Sequence, residues 1–244
     1  MDKVQELKIL ATDIKACKRC ALCHTRNQPA ISRGDPRSPL MIVSDMPREA
    51  DDKAGEILCG KAGKKIDGLL EDAGLKPEQV YFTSIIKCWP GRRSYFPEDE
   101  SPAKCFGFLM KQFEIIKPMV VVLVGPEALA WTLLRGLGEK PDPIEPWVGP
   151  MYRRREVYDD LRFMVIKHPL ELIRAKHEPS EEKCIEVLKT AKEYIVAHQN
   201  GRMTPHIAPV DLKKQVIHSR KEQIEPFKVK VPSPESPPPE QPKT

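Results

Sequence analysis

The chain carries seven cysteines: Cys17, Cys20, Cys23, Cys59, Cys88, Cys105 and Cys184. The number is odd, and the opening MDKVQELKILATDIKACKRC reads as a charged amphipathic segment rather than an export signal. A disulfide framework is therefore disfavoured and ligation of a metal or cluster is favoured. Cys17-x-x-Cys20 brings two thiolates within reach of one centre; Cys88 ends a strand pattern and Cys105 falls in the helix pattern after it. Four thiolates suit a cubane iron–sulfur cluster or a structural zinc, and the spacing does not separate the two. Cys23 complicates the set, because Cys17, Cys20 and Cys23 form a run also seen in ferredoxins. Cys59 and Cys184 have an ordinary alternative as buried thiols. That alternative is poor for Cys17 and Cys20, which sit in the polar, basic stretch ACKRCALCHTR.

The elements that must position these thiols follow from apolar spacing. Val4, Leu7, Leu10, Ala11 and Ile14 have helical spacing within residues 2–16. LMIV at 40–43, VYFTSII at 80–86 and MVVVLV at 119–124 are short continuous apolar runs and predict buried strands. Helices are predicted over 60–74, 101–116, 127–134 and 181–197, with Gly74 as a stop and Pro102 near a start. Further strands are expected at 151–157 and 163–166. The alternation of strand and helix predicts an α/β fold, a three-layer α/β/α arrangement around a mostly parallel sheet. One domain over 1–200 is expected, followed by a flexible tail over 206–244, which ends VPSPESPPPEQPKT and is too poor in apolar residues to order itself. The tail is read either as a tether for a protein partner or as a solubilising end.

Composition excludes little. The 244 residues carry a net charge of +5, which permits DNA binding without arguing for it. No stretch approaches the roughly 20 apolar residues of a membrane span, so no membrane contact is expected; the opening segment, unlike an export signal, gives a cytoplasmic placement, and a monomer is expected.

Four segments occur in order: CKRCALCHTR, DMPREADDKAGEILCGKAGKKIDGLLEDAGL, VYFTSIIKC and VIKHPLELIR. Together they resemble the family-four, iron–sulfur type of uracil-DNA glycosylase over roughly residues 14–198. The resemblance implies that fold, a 4Fe-4S cluster on Cys17, Cys20, Cys88 and Cys105 with Cys23 left out, and DNA as partner. The cluster is implied to be structural.

Departures accompany the match. The family's GEAPG motif is Ser44-Asp45-Met46-Pro47-Arg48 here, so Asp45 keeps a carboxylate one methylene shorter than the family's Glu. The Phe that stacks on the flipped base is replaced by Leu58, and the Asn that reads the pyrimidine edge by Ser84; the histidine is kept as His168. Breaking an N-glycosidic bond needs a negative charge and a positioned water beside the developing oxocarbenium sugar, and a donor for the departing base. Asp45 and Asp51 are the candidates for the first task and His168 for the second. Leu58, Ser84 and Met46 are the candidate base-binding residues for a target that must leave the helix. Lys61, Arg92, Arg93 and Arg174 are candidate DNA contacts, beside Lys64 and Lys65, and Leu170, Leu172 and Ile173 a candidate apolar wedge. The expected function is excision of uracil or a modified pyrimidine from DNA, leaving an abasic site. The alternative is an inactive relative serving as a DNA-binding or protein-interaction module. Each candidate also has a plain structural reading: Asp45 as a helix N-cap, Asp51-Asp52 as caps of the next segment, His168 as a loop histidine.

Overall fold

The structure is a computed structural model that describes residues 2–91, 96–97, 99–135, 142–158, 161–175, 178–202, 204 and 207–212. Four strands make its centre: β2 (Leu40–Ser44), β3 (Tyr81–Ser84), β4 (Val120–Val124) and β6 (Arg162–Ile166). They lie in the order β3-β2-β4-β6, every pair parallel. Short strands flank them. β1 (Arg33–Gly34) runs antiparallel to β3; β5 (Tyr152–Arg153) runs antiparallel to β6 and parallel to β7 (Val210–Asp211). The sheet is thus mixed at its edges and parallel at its core.

Every residue of β2, β3 and β4 is buried, so both faces of the sheet are covered. The cover comes from eight helices among the described residues: α1 (Lys3–Ala16), α2 (Glu49–Ala54), α3 (Lys61–Asp72), α4 (Ser101–Ile116), α5 (Gly125–Thr132), α6 (Arg155–Tyr158), α7 (Pro169–Ala175) and α8 (Glu178–Gln199). α1 packs on α4, and α3 packs on both α7 and α8. α3 illustrates the local logic. Its Ile66, Leu69 and Leu70 form one buried stripe while Lys61 and Lys64 stay in solvent. Each such aliphatic residue contributes about 1.5–3 kcal/mol on full burial. No described helix is long and apolar enough to cross a membrane.

The expected α/β sheet and its central strands match, with three differences. The strand expected over 151–157 stops after Arg153. Arg154 turns inward, donating to the carbonyls of Leu133 and Arg135 at 2.9 and 2.7 Å, and α6 begins at the next residue. The wedge expected at 170–173 is instead part of α7. Leu172 is buried within it and only Ile173 is an exposed large apolar residue there. The boundary of the tail also lies later than 206, because Ile207 is buried and Val210–Asp211 pair with β5. The chain from 213 onward lies outside the described residues.

Candidate active site

Because β3, β2, β4 and β6 run parallel, their carboxyl ends open on one side of the sheet, where ligands of such sheets are held. The candidate residues sit there in strand order: Ser84 ends β3, Asp45 follows β2, Gly125 follows β4, and His168 follows β6 by two positions. Asp45 and His168 therefore flank the end of β4. Gly125 has φ +83°, and a Cβ on it would stand 3.2 Å from the His168 Cβ. The missing side chain lets the imidazole lie across β4, with Nε2 3.5 Å from Asp45 Oδ1.

Both groups are held by more than this contact. Asp45 Oδ1 accepts from the Met46 backbone N–H at 2.7 Å, and Oδ2 accepts from Arg48 Nη2 at 2.8 Å. Burial pushes the Asp45 carboxyl up. His168, then Arg48 and the Met46 amide, more than offset that and hold it below its ordinary value. His168 Nδ1 accepts from the Leu170 N–H at 3.2 Å, which leaves the ring proton on Nε2, facing Asp45. Arg48 escaped the sequence reading. Its signal is a basic residue three positions after Asp45, on the other side of a proline.

Asp51 matches the cap reading at the start of α2. It is buried, and its carboxylate is occupied: Oδ2 accepts from the Arg48 N–H at 2.9 Å, and Oδ1 from the Cys59 N–H at 2.8 Å and the Cys59 thiol at 3.1 Å. It ties the start of α2 to the loop before α3. Burial first, and then the Asp51 carboxylate, push the Cys59 thiol up to about 11. That loop needs such a tie, since Leu58 holds φ +57°, a backbone state costing a non-glycine residue roughly 1–2 kcal/mol. Gly63 permits the close approach: a Cβ there would come within 1.5 Å of the Leu58 carbonyl oxygen. Leu58, Met46 and Ser84 are all buried. Ser84 Oγ donates to the Ile86 carbonyl at 2.6 Å, so its remaining capacity is as an acceptor.

Among candidate DNA contacts, Lys61 is exposed at the start of α3 and Arg174 is exposed on α7. Lys64 is exposed as well, whereas Lys65 is paired with Glu181. Arg92 and Arg93 lie outside the described residues.

The cysteines gather elsewhere. Cys17, Cys20, Cys23, Cys88 and Cys105 line one small hollow, together with Arg26 and Lys87. No three His, Cys, Asp or Glu side chains among the described residues converge as a site for a metal ion. The donor set nonetheless suits an anionic, sulfur-ligated group. Arg26 Nη1 donates to Cys88 Sγ at 2.8 Å, and the Lys87 N–H donates to Cys105 Sγ at 3.3 Å. Arg26 Nη2 also binds the carbonyls of Lys15 and Cys17, which fastens the loop over the hollow. Burial opposes the Arg26 charge, but Cys88, Cys17 and Cys23 hold it above its ordinary value. Lys87 is fully buried. Its Nζ donates to Thr83 Oγ1, the Ser84 carbonyl and Gln112 Oε1 at 2.6–2.7 Å. Burial pushes this ammonium down to about 7, against the pull of Cys105 and Cys88. The same residue thus touches both the hollow and the strand end that carries Ser84. Asp52 makes a second link, accepting from the Asn27 backbone N–H at 3.1 Å and from its side-chain amide at 2.7 Å. Cys184 is buried apart from this ring, as an ordinary core thiol.

The family model of the uracil DNA glycosylase superfamily matches residues 31–192. The type-4 uracil-DNA glycosylase of Thermotoga maritima is 31% identical over 176 residues, spanning 66% of this chain and 90% of that protein. That of Sulfurisphaera tokodaii is 28% identical over 207 residues, spanning 82% and 92%. That of Archaeoglobus fulgidus is 31% identical over 122 residues, spanning 50% and 61%.

Proposed function

This chain belongs to the uracil-DNA glycosylase superfamily, in its type-4 branch, and on that premise we propose that it hydrolyses the N-glycosidic bond of uracil in DNA and leaves an abasic site. The observation that carries the residue-level reading is the pair of Asp45 and His168 across the end of β4. Asp45, held ionised by its neighbours, offers a negative charge to the oxocarbenium-like sugar and an acceptor for the attacking water. His168, with its proton on Nε2, donates to the uracil oxygen on which charge collects as the bond breaks. Both groups are placed before substrate arrives, so little reorganisation is needed at the moment of reaction.

Asp51 acts in this reading as a positioning residue. It sets Arg48, and through Arg48 it sets Asp45; it also sets the Leu58–Cys59 turn. Leu58 and Met46 supply apolar packing for the extruded base, and Ser84 offers an acceptor to its edge. Lys61 and Arg174, both exposed, contact phosphates.

Cys17, Cys20, Cys88 and Cys105 are the ligands proposed for a 4Fe-4S cluster. Support comes from the ring of sulfurs and its N–H···S bonds. A structural zinc on the same four thiolates is the alternative. When bound, such a group supplies structure here: it joins the N-terminal loop to β3 and α4 without entering the chemistry.

The test is strand cleavage by hot alkali after incubation with duplexes carrying uracil, 5-hydroxymethyluracil or unmodified bases. Breakage at uracil that is absent from unmodified duplex supports the reading. Binding without breakage on every duplex overturns it in favour of a non-catalytic module. Breakage at 5-hydroxymethyluracil alone would mark Leu58 and Ser84 as a pocket for a bulkier pyrimidine.

A further inference from the structure

We propose that Cys23 is a reserve ligand, able to replace Cys20 on the cluster; the proposal rests on the cluster reading above. A cubane cluster takes four thiolates, yet five cysteines ring the hollow. Cys88 and Cys105 are buried, whereas Cys17, Cys20 and Cys23 are half-buried. The loop side is therefore where water and oxidants reach the ligands. The spacing Cys17-x-x-Cys20-x-x-Cys23 is the one at which ferredoxins place three ligands on a single cluster, so nothing in the backbone forbids Cys23 from reaching an iron.

Local geometry favours exchange between these two positions in particular. Cys20 precedes, and Cys23 lies in, one tight 3-10 turn (Ala21–His24), closed by the Cys23 N–H donating to the Cys20 carbonyl at 3.2 Å. Both residues line the same hollow and are half-buried, so an exchange between them asks for little movement of the chain. Arg26 is fastened to Cys88 Sγ and the Cys17 carbonyl, which holds the neighbouring ligands in place. The exchange is balanced. Cys23 loses its proton to water and binds iron as a thiolate, the Cys20 sulfur leaves and takes up a proton, and no oxidation state changes.

The experiment compares full-length wild type with Cys20→Ala, Cys23→Ala and the double variant, purified without oxygen, for iron per chain and visible cluster absorbance. Each single variant is expected to hold iron at close to the wild-type level, and the double variant about tenfold less. A Cys20→Ala protein as empty as the double variant overturns the proposal. Should Cys20→Ala fail to fold, bleaching in air decides: Cys23→Ala is expected to lose absorbance several-fold faster than wild type, and an equal rate overturns the proposal. An iron-free wild type is a separate result; it removes the cluster reading itself, and this proposal with it.

Discussion

His168 Nε2 lies 3.5 Å from Asp45 Oδ1 across the end of β4. Two residues far apart in sequence meet because β2, β4 and β6 are parallel neighbours, and because the strand between the two carries a glycine where it ends. The contact is long for a hydrogen bond.

The held charge of Asp45 predicts a pH dependence. Its carboxyl lies below the ordinary value, so the acid limb of kcat/KM should fall lower than for an unassisted carboxylate. Arg48→Gln removes one of the supporting charges and should move that limb up. Stability follows the same sign. With the folded-state pKa depressed, Asp45 contributes its full stabilisation above its unfolded value and loses it as pH falls through the folded one. Rate profiles and denaturation midpoints taken across the acid range check both; a limb unmoved in Arg48→Gln counts against the arrangement.

Gly125→Ala should damage the site without touching a reacting atom. Its φ of +83° is costly for alanine, roughly 1–2 kcal/mol, and the added methyl meets His168 at 3.2 Å. A fall of a few degrees in Tm with about a tenfold loss of kcat is expected. Unchanged turnover would mean that His168 is not placed by this glycine.

Cys59 should label slowly with alkylating reagents at neutral pH, because its thiol is pushed up to about 11. Asp51→Ala removes the acceptor and should speed labelling of Cys59, read by peptide mapping, while costing about 1–3 kcal/mol in stability from the unpaired Arg48 and Cys59 amides. Equal labelling in both proteins would argue that Asp51 does not tie this loop.

The central strands were legible because burial on both faces writes a continuous apolar run, as in Val120–Val124. Asp45 and His168 were legible through the motifs that follow such runs. Edge pairs were not: β1 and β7 are two residues each, too short for any period to show. Nor were two basic side chains that the fold sets against other residues. Arg48 and Lys87 are ordinary basic letters until the fold sets one against Asp45 and buries the other beneath the cysteines. Asp51 was read as chemistry because a carboxylate in a motif looks the same whether it faces substrate or two backbone amides. The helix α7 did not show in the sequence, where Leu170, Leu172 and Ile173 read only as an apolar wedge; within it Leu172 is buried.

The most direct test is the single-turnover rate of uracil release from duplex DNA by wild type, Asp45→Asn and His168→Ala, with DNA affinity measured alongside. The expectation is release by wild type, losses of about 10²–10⁴-fold in each variant, and affinity changed little. Release by either variant at the wild-type rate would contradict it.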